Sequence, residues 1–287
     1  MLRPTGKNTK AGIAVQNQHN LWMNPLEQAA YFPVSGAHLY TVLHGVADPL
    51  ARVLLVGPFA SERNTSYLPW VRWARYLAAR GVECLRYDYR GIGESTGAFE
   101  DMSFEDWMED VEVLAAGLKD RSPDLPLILH GLELGAILAA NTFEKGVADG
   151  LLLWAAPRNA NEALRAALLR CIVMGHAFKY AGERRPVSDF IKQLENGHPL
   201  EVEGYPWSSR LWRDSFRFEL PPALADQSRT PSACTKPVRI VALDQNAAPL
   251  IKGSAVVYDA ISKDFSSLFA DNFEWIAAAL ALSGGSA

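Results

Sequence analysis

The stretch Leu127-Ile-Leu-His-Gly-Leu-Glu-Leu-Gly-Ala136 decides how the rest of this chain is read. Its first residues form the short apolar run expected of a buried strand, predicted over 126–131; its last residues open a helix predicted over 134–145. Gly131 and Gly135 flank Glu133. Glycines at those two places let the strand and helix backbones close on each other, so the residue between them projects alone from a cramped turn. In the pattern G-x-S-x-G that residue is a serine poised to attack. Here a carboxylate stands in its place.

Outward from this turn, strands and helices alternate. Ala37–Gly45 has the period of a strand after a tight turn at Gly36, and Arg52–Gly57 is a continuous apolar run of the kind covered on both faces. Leu68, Val71, Ala74 and Leu77 give Tyr67–Arg80 a helical spacing that Gly81 ends. Val82–Asp88 is the next strand, and Ser103, with Asp106 three residues on, caps a helix running to about Leu118. Another strand is predicted at 150–155. Such alternation predicts an α/β fold with a mostly parallel central sheet flanked by helices. After Trp154-Ala-Ala-Pro157 it stops: 159–198 is helix-like and 199–235 is rich in proline, tryptophan and charge. A buried-strand pattern returns at Val238–Asp244, Ala255–Ile261 reads as the last strand, and 268–282 as a closing helix. The expected organisation is a polar N-terminal segment over 1–27, a core over 28–155 and 236–287, and an insertion over 156–235.

At 287 residues and 49% hydrophobic, the chain can bury a full core. A net charge of −4 gives no electrostatic reason to expect nucleic acid as a partner. No run of eighteen apolar residues suggests a membrane span, and the first residues lack the apolar centre of a secretory signal. Cys84, Cys171 and Cys234 are too few and too scattered for a disulfide framework or a metal site. A cytoplasmic protein with neither metal nor other cofactor is the expectation.

Four stretches resemble the α/β-hydrolase superfamily, in particular its serine-aminopeptidase-like branch. Gly57-Pro-Phe-Ala-Ser-Glu-Arg-Asn64 stands where the oxyanion-hole loop belongs, and Tyr87–Ser95 is close to the D-x-R-G-x-G-x-S turn. The turn around Glu133 is the third stretch, and the strand ending in Asp244 is the fourth. A closer resemblance is to exosortase-associated hydrolases, which show P-F-A-x-E-x-N-x-S like Pro58–Ser66, G-L-x-L-G-A like Gly131–Ala136 and V-x-G-Y-x-x-S like Val202–Ser208. That subgroup is likewise without the elbow serine. The resemblance implies that 156–235 is a helical lid. It also implies a bacterial setting in surface-polymer export or protein sorting.

An acyl-transfer enzyme needs a nucleophile, a base, an orienting acid and two N–H donors for the oxyanion. By the resemblance, Glu133 holds the nucleophile position, Asp244 the acid position and Asp264 the histidine position. The backbone N–H groups of Phe59 and Leu134 would be the oxyanion donors. No histidine follows His198 in the chain. A Glu-Asp-Asp set cannot relay a proton from an alcohol at neutral pH, so the triad is expected to be degenerate.

Glu133 itself remains open to several readings. As a carboxylate nucleophile it would form an ester that nothing hydrolyses. As a binding group at a helix N-terminus it would be stabilised as an anion. It could then fold onto the oxyanion donors or face a cationic ligand or an arginine such as Arg63, Arg90 or Arg158. It could equally be a tolerated replacement in a disused pocket. His130 reads as a packing residue and Ser95 as a turn residue, while His176 and His198 fall in the insertion. Tyr205, Trp207, Trp212 and Phe216 read as a contact surface or as anchors of the insertion. The expected role is a non-catalytic pseudo-hydrolase that binds a small molecule or a partner protein. The alternative is an ester or amide hydrolase using Glu133 and a histidine from the insertion.

Overall fold

The computed structural model describes residues 27–58, 62–178, 185–225, 236–242 and 264–281. Its strands are Glu27–Val34 (β1), Ala37–His44 (β2), Ala51–Val56 (β3), Val82–Tyr87 (β4), Leu127–Leu132 (β5), Gly150–Trp154 (β6), Leu200–Val202 (β7), Tyr205–Trp207 (β8) and Val238–Val241 (β9). Seven of them form one sheet in the order β1-β2-β4-β3-β5-β6-β9, and β7 and β8 form a separate hairpin. The pairs β1–β2 and β2–β4 are antiparallel and the remaining pairs in the large sheet are parallel.

The central strands β3, β5 and β6 are mainly apolar because both faces are covered, with Arg52 and His130 as buried exceptions. Successive residues of β3 point to opposite faces, and all six are buried. Leu54 and Val56 join Leu129 and Leu153 in a core beneath the helices Phe104–Arg121 (α2) and Leu134–Glu144 (α3). Val53 and Leu55 join Ile128 and Leu152 on the other face, against Glu62–Ala78 (α1) and Ser266–Ala279 (α8). Between β6 and β9 the chain forms Ala160–Phe178 (α4), Val187–Glu195 (α5), the β7–β8 hairpin, Ser209–Asp214 (α6) and Pro222–Ala225 (α7). Trp207 and Trp212 from this segment are almost wholly buried, and Tyr205 lies 4.9 Å from Phe99, so these rings anchor the segment. Phe216 is exposed. Among the described residues no helix is long and apolar enough to cross a membrane.

Three boundaries differ from the sequence reading. β1 carries no clean alternation because it is a half-exposed edge strand. α1 begins at Glu62 and runs through Pro69, because its first turn faces a cavity instead of the apolar core and lacks the expected periodicity. The strand predicted to end at Asp244 is regular over Val238–Val241. The strand predicted at Ala255–Ile261 lies outside the described residues.

Strand order reverses around β3. The chain passes from β3 through α1 to β4 on one side, then crosses to β5 on the other. In open parallel sheets a crevice opens at the carboxyl ends of such strands, and ligands bind there. Gly57 follows β3 and Glu133 follows β5, so both sit at this reversal.

Candidate active site at the elbow after β5

The turn from β5 to α3 has little freedom. A Cβ added at Gly131 would lie 2.4 Å from the Cα of Ala136, and one at Gly135 would lie 2.1 Å from the carbonyl oxygen of Gly57. Both glycines are therefore required by close backbone approach, as their spacing predicts. Glu133 takes φ 54° and ψ −125°, a conformation that L residues rarely adopt and that costs about 1–3 kcal/mol. The Glu133 N–H donates to the Trp154 carbonyl at 3.0 Å, and the Ala136 N–H donates to the Glu133 carbonyl at 2.9 Å. The Leu134 N–H, at the first position of α3, has no acceptor within its own helix.

The Glu133 side chain enters a cavity of about 130 Å³ lined by Glu62, Leu134, Ala163, Ala166, Ala167 and Arg170. Arg170, on α4, pairs with the Glu62 carboxylate at the start of α1. It also donates through Nε and Nη2 to both carboxylate oxygens of Glu203, at 2.9 and 3.1 Å. Glu203 and Gly204 both have positive φ, the pattern of a two-residue hairpin turn, and that turn presents Glu203 to the arginine. Burial pushes the Glu133 carboxyl up to about 8; the nearby Glu62 carboxylate adds to the rise and Arg170 opposes it. Glu62 is raised too, chiefly by burial, with Arg170 holding it down. At neutral pH Glu133 is thus mainly the uncharged acid.

The outcome corrects two expectations about Glu133. The Glu133 side chain makes no capping hydrogen bond to the helix it precedes, and burial, not stabilisation as an anion, is the main influence on its carboxyl. Nor are the arginines named from sequence the ones beside it. Arg63 is held by Asp88 at 2.8 and 2.9 Å, Arg90 is committed to Asp110 and Glu109, and Arg158 lines a separate open groove. Arg170 and Glu62 are brought together by tertiary packing, and the acidic group at the head of α1 is the one signal of the pair that the sequence carries.

Of the other expected site residues, Phe59 and Asp244 lie outside the described residues. Asp264 is fully exposed and accepts from the backbone N–H of Ser266 at 2.8 Å in the surface turn that precedes α8, and it is not among the residues that line the cavity. His198 is exposed. His176 lies on α4, with its side chain outside the described set. His130 is wholly buried; its Nδ1 accepts from the Trp73 indole at 3.0 Å, its ring packs on Trp70 and Trp154, and burial drives its pKa well down. The Ser95 hydroxyl donates to the Asp88 carbonyl at 2.6 Å and accepts from the Tyr40 N–H, which fixes the turn. Among the described residues no group of His, Cys, Asp and Glu is arranged to hold a metal ion.

A family model for serine aminopeptidases (S33) matches residues 42–188. The chain belongs to this family of α/β-hydrolases. The matched span runs from β2 through the elbow and into the inserted segment. Among solved structures it is similar to an α/β-hydrolase, GrgF, from Penicillium sp. sh18, with a TM-score of 0.53, 17% identity, and coverage of 89% of this chain and 99% of that one. It is also similar to a soluble variant of monoglyceride lipase from Saccharomyces cerevisiae in complex with a substrate analogue. There the TM-score is 0.55 and the identity 14%, over 88% of this chain and 96% of that one. At such identities the likeness is one of fold. No curated protein matches the chain.

Proposed function

We propose that this α/β-hydrolase-fold chain is a non-catalytic, ligand-binding pseudo-hydrolase. The observation that carries the reading is Glu133 at the strained elbow position, in a cavity whose described lining contains no imidazole and where burial raises its carboxyl to about 8. An uncharged carboxyl is a poor nucleophile, and with no base beside it an acyl-enzyme would not turn over. The same group is a good hydrogen-bond donor at the floor of a small, partly apolar cavity. In this proposal the inserted segment acts as a lid, with α4 as the wall facing Glu133.

The test is a panel of fluorogenic esters and amides together with an active-serine fluorophosphonate probe. Neither turnover nor labelling is expected. Turnover abolished by Glu133→Ala would establish the alternative, an unorthodox ester or amide hydrolase. Labelling would reveal an activated serine and defeat both readings. The proposed setting is the cytoplasm, supported by the free thiols of Cys84 and Cys171. A bacterial surface-polymer or protein-sorting context rests on the Pro58–Ser66, Gly131–Ala136 and Val202–Ser208 stretches alone.

A further inference from the structure

We propose that the outer edge of β1 docks a second copy of this chain, the two β1 strands pairing antiparallel about a two-fold axis at Ala30. The proposal is independent of the Glu133 cavity. β1 ends the large sheet, and residues 28–31 are all exposed.

The hydrogen bonds of β2 show which backbone groups that edge offers. The Tyr40 carbonyl accepts from the Asp88 N–H at 2.9 Å, and the His38 carbonyl accepts from the Thr96 N–H at 3.0 Å. The N–H groups of Tyr40 and His38 donate to the hydroxyls of Ser95 and Thr96, both at 2.8 Å. Tyr40 and His38 thus bond away from β1. In an antiparallel ladder, directly opposed residues either both bond across it or both bond away from it. Tyr31 lies opposite Tyr40 and Pro33 opposite His38, so the backbone groups of Tyr31 and Pro33 face outward, and those of Ala29 and Glu27 follow at every second position. Ala30 is turned inward, its carbonyl accepting from the Thr41 hydroxyl at 3.1 Å. Among the described residues no strand pairs with the outward row.

Natural edge strands are commonly guarded by lysine or other charges, by bulges or by proline. β1 has no lysine or arginine, and its one charged residue, Glu27, is held by Arg75 at 2.6 Å. Only Pro33 interrupts the row, by lacking a donor.

The place of Pro33 selects the occupant. With two copies antiparallel about Ala30, Ala29 lies opposite the partner's Tyr31 on each side of the axis, and each such pair can exchange both of its N–H···O bonds. Glu27 falls opposite the partner's Pro33 and can still donate to its carbonyl. The missing donor is then placed at the two ends of the ladder, and no central bond is lost. Side-chain sizes agree. Ala30 meets its own copy at a non-hydrogen-bonded position, where Cα atoms approach to about 4.5 Å and a methyl group fits. The exposed Tyr31 ring lies beside the small side chain of the partner's Ala29. Such a pairing is isologous: it consumes both edges and stops at the dimer.

The experiment is sedimentation velocity of the full chain over about 5–500 µM, because a strand-edge contact is a small interface and gives a weak dimer. A monomer–dimer equilibrium is expected. Ala30→Lys and Ala30→Asp should each weaken it about tenfold or more, since like charges then meet at the axis, and an equimolar mixture of the two should recover a heterodimer. Under mild oxidation Ala30→Cys should cross-link two copies above the background of the unsubstituted chain, because its Cα separation lies within disulfide range. Gln28→Cys, opposite the partner's Phe32, should not. The Ala29 and Tyr31 amides should exchange hydrogen more slowly as concentration rises. A monomer at every concentration would overturn the proposal. So would a dimer indifferent to charge at position 30, a mixture that recovers no heterodimer, or equal cross-linking by the two cysteine variants. Amide protection that does not vary with concentration would mean that the chain covers its own edge, which overturns it too. Position 30 is exposed, and thermal unfolding of each variant checks that it is folded.

Discussion

Two arginines in this molecule each face several carboxylates, and they do so to different ends. Arg90, in the turn after β4, is 5% exposed and donates to Asp110 at 2.7 Å and to Glu109 at 2.9 Å. Its own backbone N–H donates to Asp110 as well, and its carbonyl accepts from the Trp107 indole. Asp110 is raised to about 6, by burial first, with the Arg90 hydrogen bonds pulling the other way. Arg170 is 21% exposed, and its partners Glu62 and Glu203 are 14% and 20% exposed. Beside that pair Glu133 is raised further, to about 8, with the arginine acting on it only from a distance. The first cluster is closed around Arg90 and Asp110, both almost wholly buried and hydrogen-bonded to each other. The second is open, with a carboxyl and a cavity in reserve. A closed cluster holds a turn in place, whereas an open one can receive something.

Removing the arginine from the closed cluster should be the most damaging change. Arg90→Ala strands Asp110 in the core and should cost about 3–5 kcal/mol in urea denaturation. The Glu133→Gln effect should be smaller and should depend on pH. The Glu133 pKa is raised in the folded chain, so the folded state holds a proton that the unfolded state has lost between about pH 4.5 and about pH 8. Stability therefore falls as pH rises through that window, and glutamine removes the fall. The variant should match the parent near pH 4.5 and exceed it by a few kcal/mol at pH 8.5. A difference that does not vary with pH would mean that Glu133 is already ionised, and the contrast between the clusters would fail.

Arg170→Ala should cost only about 1–2 kcal/mol, because Glu62 and Glu203 can recover water at the cavity. A loss as large as that for Arg90→Ala would put both arginines in the same structural role. The smallest expected effect is none: Glu133→Ser should give no ester hydrolysis above background, because a hydroxyl alone lacks a base. Measurable turnover would place an imidazole or another base within reach of position 133.

The frame was legible because its signals are local. Gly131 and Gly135 announce a close approach, Ser103 and Asp106 form the capping box their spacing predicts, and β3, β5 and β6 are mainly apolar runs buried at every position. The site was legible only at Glu133, which breaks a familiar pattern. Arg170 is one charge among several on a helix whose apolar spacing explains it equally well, and its partners come from distant parts of the sequence. Glu62 looked like loop because the turn it begins faces the cavity. Charge pairs of this kind follow from tertiary packing, and no local periodicity encodes them. The polarity at the elbow was misjudged for a related reason. A helix N-terminus favours an anion in water, and the sequence does not reveal how far packing at the elbow withdraws the side chain at 133 from solvent.

With Gly135 packed directly on the carbonyls of Val56 and Gly57, the turn between β5 and α3 is braced from behind by backbone alone. Substituting the residue at 133 changes what is displayed without altering how it is held. Cysteine, aspartate or a synthetic side chain grafted there would inherit the same aim into the cavity. That interchangeability makes this one position a ready-made mount for chemistry of an engineer's choosing.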